Sequence, residues 1–465
     1  MKKPITGVTI VDTGQKSETI GKKAEEKEVF LIPYGVPEDV VSIQPTKKKK
    51  GLRKAHILSI EKASPHRTTP FCQHFGTCGG CNWQHMTYEK QLDQKTRSVA
   101  AAFERIGQLD FPELSPIMPA QDTTHYRNRL DFGFSGYRWL TPEEINNNED
   151  KELDRRGLGF HIPGMFQKIV DIEECHLQQN PSNEIRNFVK KKAKESGLPF
   201  YDVVKHKGFY RSLIIKTTET GDVMVLLIVT EEREAELKAL FEELLAQFPQ
   251  ISSLYYAINT KLNDSWIDLP LKHYAGNTYI TEALGDLRLR LGPKSFYQTN
   301  SRQSYHLFSE VKKLAALDKT KVLYDLYCGV GSIGLFLAKE VKQVVGIEMV
   351  SEAVAYAQKN AEINQIENAA FECGEVEKVL ADCHRKYGKA DLVTVDPPRA
   401  GLHPKALQHL LSLEAPEIIY VSCNPSTQAR DLKLMSTHYK IEKIQPVDMF
   451  PQTFHVENIV HLTKK

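Results

Sequence analysis

Cys423 stands in Ser422-Cys423-Asn424-Pro425, directly after the apolar run Glu417-Ile418-Ile419-Tyr420-Val421. Such a run reads as a strand buried on both faces, so the thiol falls on the loop at the strand's carboxyl end, where open α/β sheets bind ligands. Two further runs behave alike: Leu392-Val393-Thr394-Val395 ends in Asp396-Pro397-Pro398-Arg399, and residues 321–326 end in a glycine-rich loop. Thiol, acid and glycine loop therefore belong on one rim. A free thiol is only a few per cent ionised at neutral pH, so a nucleophilic cysteine needs a site that deprotonates it. Glu457, in Phe454-His455-Val456-Glu457, lies where a terminal strand could return beside that thiol. It is the best-placed base, with His455 as its rival.

The glycine loop, 325–334, carries Gly329, Gly331 and Gly334 in a G-x-G-x-x-G spacing between a strand and a helix. The next strand, Val344-Val345-Gly346-Ile347, ends in Glu348, a carboxylate suited to ribose hydroxyls. These features serve a dinucleotide and S-adenosylmethionine equally well. The downstream residues separate the two, because a nicotinamide enzyme has no evident use for the thiol and the Asp-Pro-Pro turn. Methylation of a pyrimidine at carbon 5 uses both. A thiolate adding to carbon 6 makes carbon 5 nucleophilic toward a sulfonium methyl, and a base then removes the carbon 5 proton so that the thiolate leaves. Asp396 can accept a hydrogen bond from ring N3–H, with Pro397 and Pro398 fixing the turn that aims it. Cys328, Cys373 and Cys383 read as small buried side chains.

The chain's 465 residues exceed one ordinary core and predict two to three domains. No apolar run is long enough to span a membrane, and the N-terminus lacks the apolar core of a secretion signal, so a cytoplasmic protein is expected. In that compartment the eight cysteines are thiols or ligands rather than disulfides. Cys72, Cys78 and Cys81 form C-x5-C-x2-C, interrupted by Gly76, Gly79 and Gly80, and Cys175 is a fourth candidate. The donor chemistry suits zinc and an iron–sulfur centre alike. Net charge is only +2, but Lys47, Lys48, Lys49, Lys50, Arg53 and Lys54 form a basic run, read as a phosphate contact or a solvated loop.

Short alternating strands up to about residue 60 predict a small β-barrel over 1–66. Residues 67–290 read as a central α+β domain that carries the cysteines and a helix from 88 to 106. Residues 291–465 alternate strand and helix, the pattern of a parallel sheet, with a reversed strand at its edge near the C-terminus.

The chain resembles the bacterial RNA uridine-C5 methyltransferases of the RumA/TrmA group, especially the 23S ribosomal RNA branch. The resemblance rests on Ser422-Cys423-Asn424-Pro425 with His455-Val456-Glu457-Asn458, on Ser295-Phe296-Tyr297-Gln298-Thr299-Asn300, on His125-Tyr126-Arg127-Asn128-Arg129, and on the cysteine segment. It implies a Rossmann-like class I methyltransferase domain, an N-terminal TRAM-like RNA-binding barrel, and a central domain with a 4Fe-4S cluster on Cys72, Cys78, Cys81 and Cys175. It further implies S-adenosylmethionine held by Gln298, Tyr327, Ser332, Glu348, Glu375 and Asp396, with Cys423 as nucleophile and Glu457 as proton acceptor. The expected partner is 23S ribosomal RNA and the expected state a monomer. The alternatives are a methyltransferase of the transfer RNA T-loop, an exocyclic-amine methyltransferase, and an inactive RNA-binding module.

Overall fold

The structure is a computed structural model that describes residues 3–14, 18–23, 28–49, 52–146 and 153–465. The first strands are β1 (Ile5–Thr13), β2 (Glu18–Lys23), β3 (Val29–Pro33), β4 (Val40–Lys49) and β5 (Leu52–Lys62), which close into a barrel in the order β1-β2-β3-β5-β4. Val8, Ile10, Phe30, Ile32, Val41 and Ile43 fill it, the inward half of each alternating strand. Lys47, Lys48 and Lys49 lie in strand β4 rather than in a loop, on the arm that pairs with β5 through Lys48 and Arg53. Lys50 lies outside the described residues.

The helix expected from 88 to 106 is α1 (Tyr88–Ala102), whose last turn widens to a π turn over Phe103–Gly107 and stops at Gln108 in the left-handed region. The central sheet has seven strands: β6 (Arg129–Ser135), β7 (Gly157–Ile162), β8 (Met165–Asp171), β9 (Tyr210–Thr217), β10 (Val223–Val229), β11 (Ile251–Ile258) and β12 (Lys272–Gly276). Their order is β12-β11-β10-β9-β6-β7-β8, with β10 and β11 the parallel pair. Three helices accompany it, α2 (Pro142–Asn146), α3 (Ser182–Glu195) and α4 (Glu234–Gln247). Of these, α3 and α4 pack on one face through Ile185, Val189, Leu240 and Phe241.

A hairpin, β13 (Ile280–Leu284) and β14 (Leu287–Leu291), leads to the C-terminal sheet. Its strands are β15 (Val322–Leu326), β16 (Gln343–Glu348), β17 (Ala369–Cys373), β18 (Leu392–Val395), β19 (Glu417–Ser422), β20 (Tyr439–Val447) and β21 (Glu457–Lys464), in the order β17-β16-β15-β18-β19-β21-β20. The helices α5 (Ser301–Leu314), α6 (Ser332–Leu337), α7 (Ser351–Ile363), α8 (Val376–Tyr387), α9 (Pro404–Ser412) and α10 (Pro425–Met435) cover both faces. Every residue of β15, β18 and β19 is buried, which is why these strands read as unbroken apolar runs.

Two sequence readings need correction. The reversed strand is internal: β21 runs antiparallel between β19 and β20, and β20 is the edge. The loop of residues 448–456 returns the chain so that β21 inserts, and its apolar residues Val460 and Leu462 complete the core. Cys373, expected to be buried, is exposed, because it ends edge strand β17 beyond the covering helices. Cys328 and Cys383 are buried. Among the described residues, no helix is long and apolar enough to cross a membrane.

Candidate active site

The parallel strands deliver their loops to one rim. After β15 comes the glycine loop, where Gly329 (φ 55°) and Gly331 (φ 82°) take left-handed conformations that turn the chain into α6. Ser332 opens that helix, and Tyr327, also left-handed at φ 64°, is half-buried beside it. At the end of β16, Glu348 braces the loop: Gly329 N–H donates to its Oε2 at 3.1 Å and Val350 N–H to its Oε1 at 2.9 Å. Each of those oxygens keeps a second acceptor site for a ligand hydroxyl. Glu375, just past β17, is the N-cap of α8 and pairs with Lys378 at 2.8 Å.

Asp396 follows β18, and Gln298 Nε2 donates to its Oδ2 at 3.0 Å. Burial, then the charge of Asp325, pushes the Asp396 carboxyl up to about 7, against the Gln298 hydrogen bond. Gln298 itself is placed by the segment leading into β6, since Asn128 Nδ2 donates to its carbonyl oxygen at 2.9 Å and Asn128 N–H to that of Thr299 at 2.9 Å. That connection accounts for the 125–129 segment, whose role sequence alone left open.

Cys423 follows β19 and is half-buried. The residues after it start α10: Asn424 is its N-cap, accepting from Ser426 N–H at 3.1 Å, and Pro425 fills the first turn, where its missing N–H costs nothing. Asn424 Nδ2 also donates to Arg399 O at 3.0 Å, tying the thiol loop to the Asp-Pro-Pro-Arg turn. Burial pushes the Cys423 thiol up to about 11, helped by the charges of Glu457 and Asp396; Arg399 pulls the other way through its charge and a hydrogen bond. Sequence reasoning gave Arg399 no role. Its facing the sulfur depends on two loops from different strands, which nothing local signals.

Glu457 starts β21, whose next residue, Asn458, pairs in register with Ser422. The base candidate and the thiol thus come from neighbouring antiparallel strands. Glu457 is 2% exposed, and its Oε2 has no hydrogen-bond partner among the described residues. Burial holds its carboxyl well above the usual range, Asp396 adds to this, and Arg399 opposes it. Two carboxyls this close resist ionising together, so they retain a proton that isolated carboxyls would lose. The rival His455 stacks its ring on Phe454 at 4.2 Å, and burial with the charge of Arg399 lowers it to about 4.

The loop delivering Glu457 is pinned from outside the sheet. Asp448 accepts from Lys95 Nζ at 2.6 Å and Tyr88 OH at 2.9 Å, and Lys95 also donates to Phe450 O at 3.0 Å. Lys95 and Asp448 are fully buried, and removing one partner of such a pair costs about 3–5 kcal/mol. Gln452 O accepts from Asn82 N–H at 2.9 Å and Trp83 N–H at 3.0 Å, directly after Cys81. Cys72, Cys78, Cys81 and Cys175 line a single cavity of about 130 Å³. Burial, together with the neighbouring sulfurs, pushes Cys78 and Cys81 up to about 12. Among the described residues, no three or more His, Cys, Asp or Glu side chains form a group arranged for a metal ion.

A mostly parallel sheet covered by helices, with a glycine loop, Glu348 and an Asp-Pro-Pro turn on one rim, has Rossmann-like architecture. The family model of the tRNA (uracil-5-)-methyltransferases matches residues 217–465. An uncharacterized RNA methyltransferase of Bacteroides thetaiotaomicron is 44% identical over 439 residues, covering 93% of this chain and 96% of its own. Another, from Porphyromonas gingivalis, is 44% identical and covers 94% and 95%. The chain therefore belongs to the family of RNA (uracil-5-)-methyltransferases. Among solved structures, the tRNA (uracil-54, C5)-methyltransferase of Pyrococcus abyssi in complex with S-adenosyl-L-homocysteine is 29% identical, with a TM-score of 0.75 over 98% of this chain and 99% of that one.

Proposed function

We propose that this enzyme methylates carbon 5 of one uridine in 23S ribosomal RNA, with Cys423 as nucleophile and Glu457 as proton acceptor. The observation carrying this reading is the meeting of Cys423, Glu457, Asp396 and Arg399 at the ends of adjacent strands. S-adenosylmethionine supplies an electrophilic methyl group when bound. The rim fits it: the glycine loop permits close backbone approach, Glu348 keeps free acceptor sites for ribose hydroxyls, and Gln298 with Asp396 closes the end facing the thiol. Tyr327, Ser332 and Glu375 complete the surround.

The half-buried Cys423 thiol gives its proton to solvent, and the thiolate adds to carbon 6 of the uracil while the C5=C6 electron pair moves into an enolate at the carbon 4 oxygen. Arg399 is the cation facing the sulfur and stabilises the thiolate. Asp396 accepts from N3–H, a hydrogen bond that cytosine cannot make. After carbon 5 is alkylated, Glu457 takes its proton and the C–S bond breaks. The unpartnered Oε2 of Glu457 is the acceptor available for that proton.

Cys72, Cys78, Cys81 and Cys175 are proposed to hold a 4Fe-4S cluster. Among the described residues the four thiols are not grouped around a single metal ion but line one cavity of about 130 Å³, which would suit a centre of several atoms that when bound cross-links chain segments and carries an electron. Protein purified without oxygen should contain iron and acid-labile sulfide in equal amounts, lost together on Cys78→Ser with Cys81→Ser; zinc without sulfide would refute the cluster. The barrel, with its basic arm, is proposed as a TRAM-like RNA contact.

The ribosomal substrate rests on the resemblance carried by the cysteine segment. A second reading, a transfer RNA substrate, is favoured by the Pyrococcus abyssi enzyme, whose target is tRNA uracil-54. Mass mapping of methylated uridines in cells with and without the gene decides. Loss of one 5-methyluridine from 23S RNA supports the first reading, and loss from transfer RNA supports the second.

A further inference from the structure

Lys216, on β9, is buried beneath the turn that precedes Gln298. Its Nζ donates to three backbone carbonyls of that turn: Gly292 at 3.2 Å, Pro293 at 2.7 Å and Ser295 at 3.1 Å. The turn is also closed on itself, with Gly292 N–H donating to Ser295 Oγ at 2.9 Å and Ser295 N–H to Gly292 O at 3.2 Å. Packing alone does not locate it, because it borders a cavity of about 320 Å³ lined by Lys216, Arg129, Glu282, Ser295 and Phe296.

We propose that Lys216 is a positioning residue for methyl-donor binding, fixing the 292–295 turn and, through it, the side chain of Gln298. The inference rests on the reading that Gln298 touches the methyl donor. Arg129 pairs with Lys216 in the β6–β9 register, and Asn128, the residue before it, grips the carbonyls of Gln298 and Thr299. Lys216 of β9 and Asn128, the residue before β6, therefore hold the two ends of segment 292–299.

An ammonium in this position is expensive. Burial pushes it down to about 7, with Arg129 adding to the shift and the carboxylates of Asp131 and Glu352 opposing it. Its three hydrogen bonds all go to the backbone carbonyls of one turn, and none to a carboxylate. An apolar side chain of similar length would avoid the desolvation cost, so what the lysine adds is the location of those carbonyls.

The test measures S-adenosylhomocysteine affinity by calorimetry and steady-state kinetics on RNA for Lys216→Met and Gln298→Ala. Lys216→Met is expected to weaken donor affinity and raise the donor KM about tenfold, the effect of losing charged hydrogen bonds. Its kcat at saturating donor and its KM for RNA should change by a smaller factor than the donor KM, because Gln298 reaches the thiol side only through its hydrogen bond to Asp396. Lys216→Gln, polar but uncharged and shorter, gives the same reading if the methionine variant does not fold. A fall in kcat with donor KM unchanged would overturn the proposal, since it would indicate general damage. If Gln298→Ala weakens the donor and the Lys216 variants do not, the inference fails while the donor site stands. If Gln298→Ala also leaves affinity unchanged, the donor reading itself is wrong.

Discussion

Cys423→Ala is expected to abolish methyl transfer, by about 10⁴-fold or more, while S-adenosylhomocysteine still binds within about threefold. The separation follows from the architecture. The residues proposed for the donor side, Tyr327, Ser332, Glu348 and Glu375, follow β15, β16 and β17, whereas Cys423 follows β19 on the other side of β18. Removing the sulfur also deletes the group on which the charges of Arg399, Glu457 and Asp396 converge, but it leaves the hydrogen bonds of Glu348 and Gln298 intact. Without addition at carbon 6, carbon 5 of uracil is a poor nucleophile, and a bound, correctly oriented methyl group has no partner. Activity comparable to the parent would remove Cys423 from the mechanism, and a parallel loss of donor binding would mean that the substitution had damaged the rim.

Glu457→Gln is expected to accumulate an RNA–protein adduct that survives denaturation, with turnover reduced by about 10²–10⁴-fold. The amide keeps the size of the buried side chain but cannot accept the carbon 5 proton, so the C–S bond cannot break. Addition and methylation precede that step and proceed. The parent enzyme should also lose activity toward acid pH. Its Glu457 carboxyl is held well above the ordinary range by burial and by Asp396, and a protonated carboxyl is no base. Activity should therefore rise with pH through that titration, and the limb should be missing from single-turnover adduct formation by Glu457→Gln. An adduct absent under all conditions would point to another base. His455 is the nearest rival in sequence, although its stacked ring offers less room for the role.

The parts legible in the sequence were those set by local pattern. Fully buried strands announce themselves as apolar runs, and the loops after β15, β18 and β19 could be assigned to one rim because parallel strands must share a direction. The place of Cys423 on a loop was legible because the apolar run before it marks a buried strand, while the start of α10 at Pro425, with Asn424 as its N-cap, was not read. What stayed hidden depends on partners far away in the chain. Arg399 faces the thiol of Cys423 where Asn424 and Thr427 both tie its carbonyl oxygen to the thiol loop. The Glu457 loop is held by Lys95 and by the backbone of Asn82 and Trp83, some 350 residues upstream. Placing β21 at the sheet edge failed for a related reason: a reversed terminal hairpin looks the same in sequence whether its second strand inserts or stays outside.

The most direct test is peptide mapping by mass spectrometry of the complex formed between Glu457→Gln and its RNA. A methylated uridine attached to the peptide that contains Cys423 is the predicted result. Attachment at another residue, such as the exposed Cys373, or methylated RNA released with no covalent linkage at any stage, would contradict it.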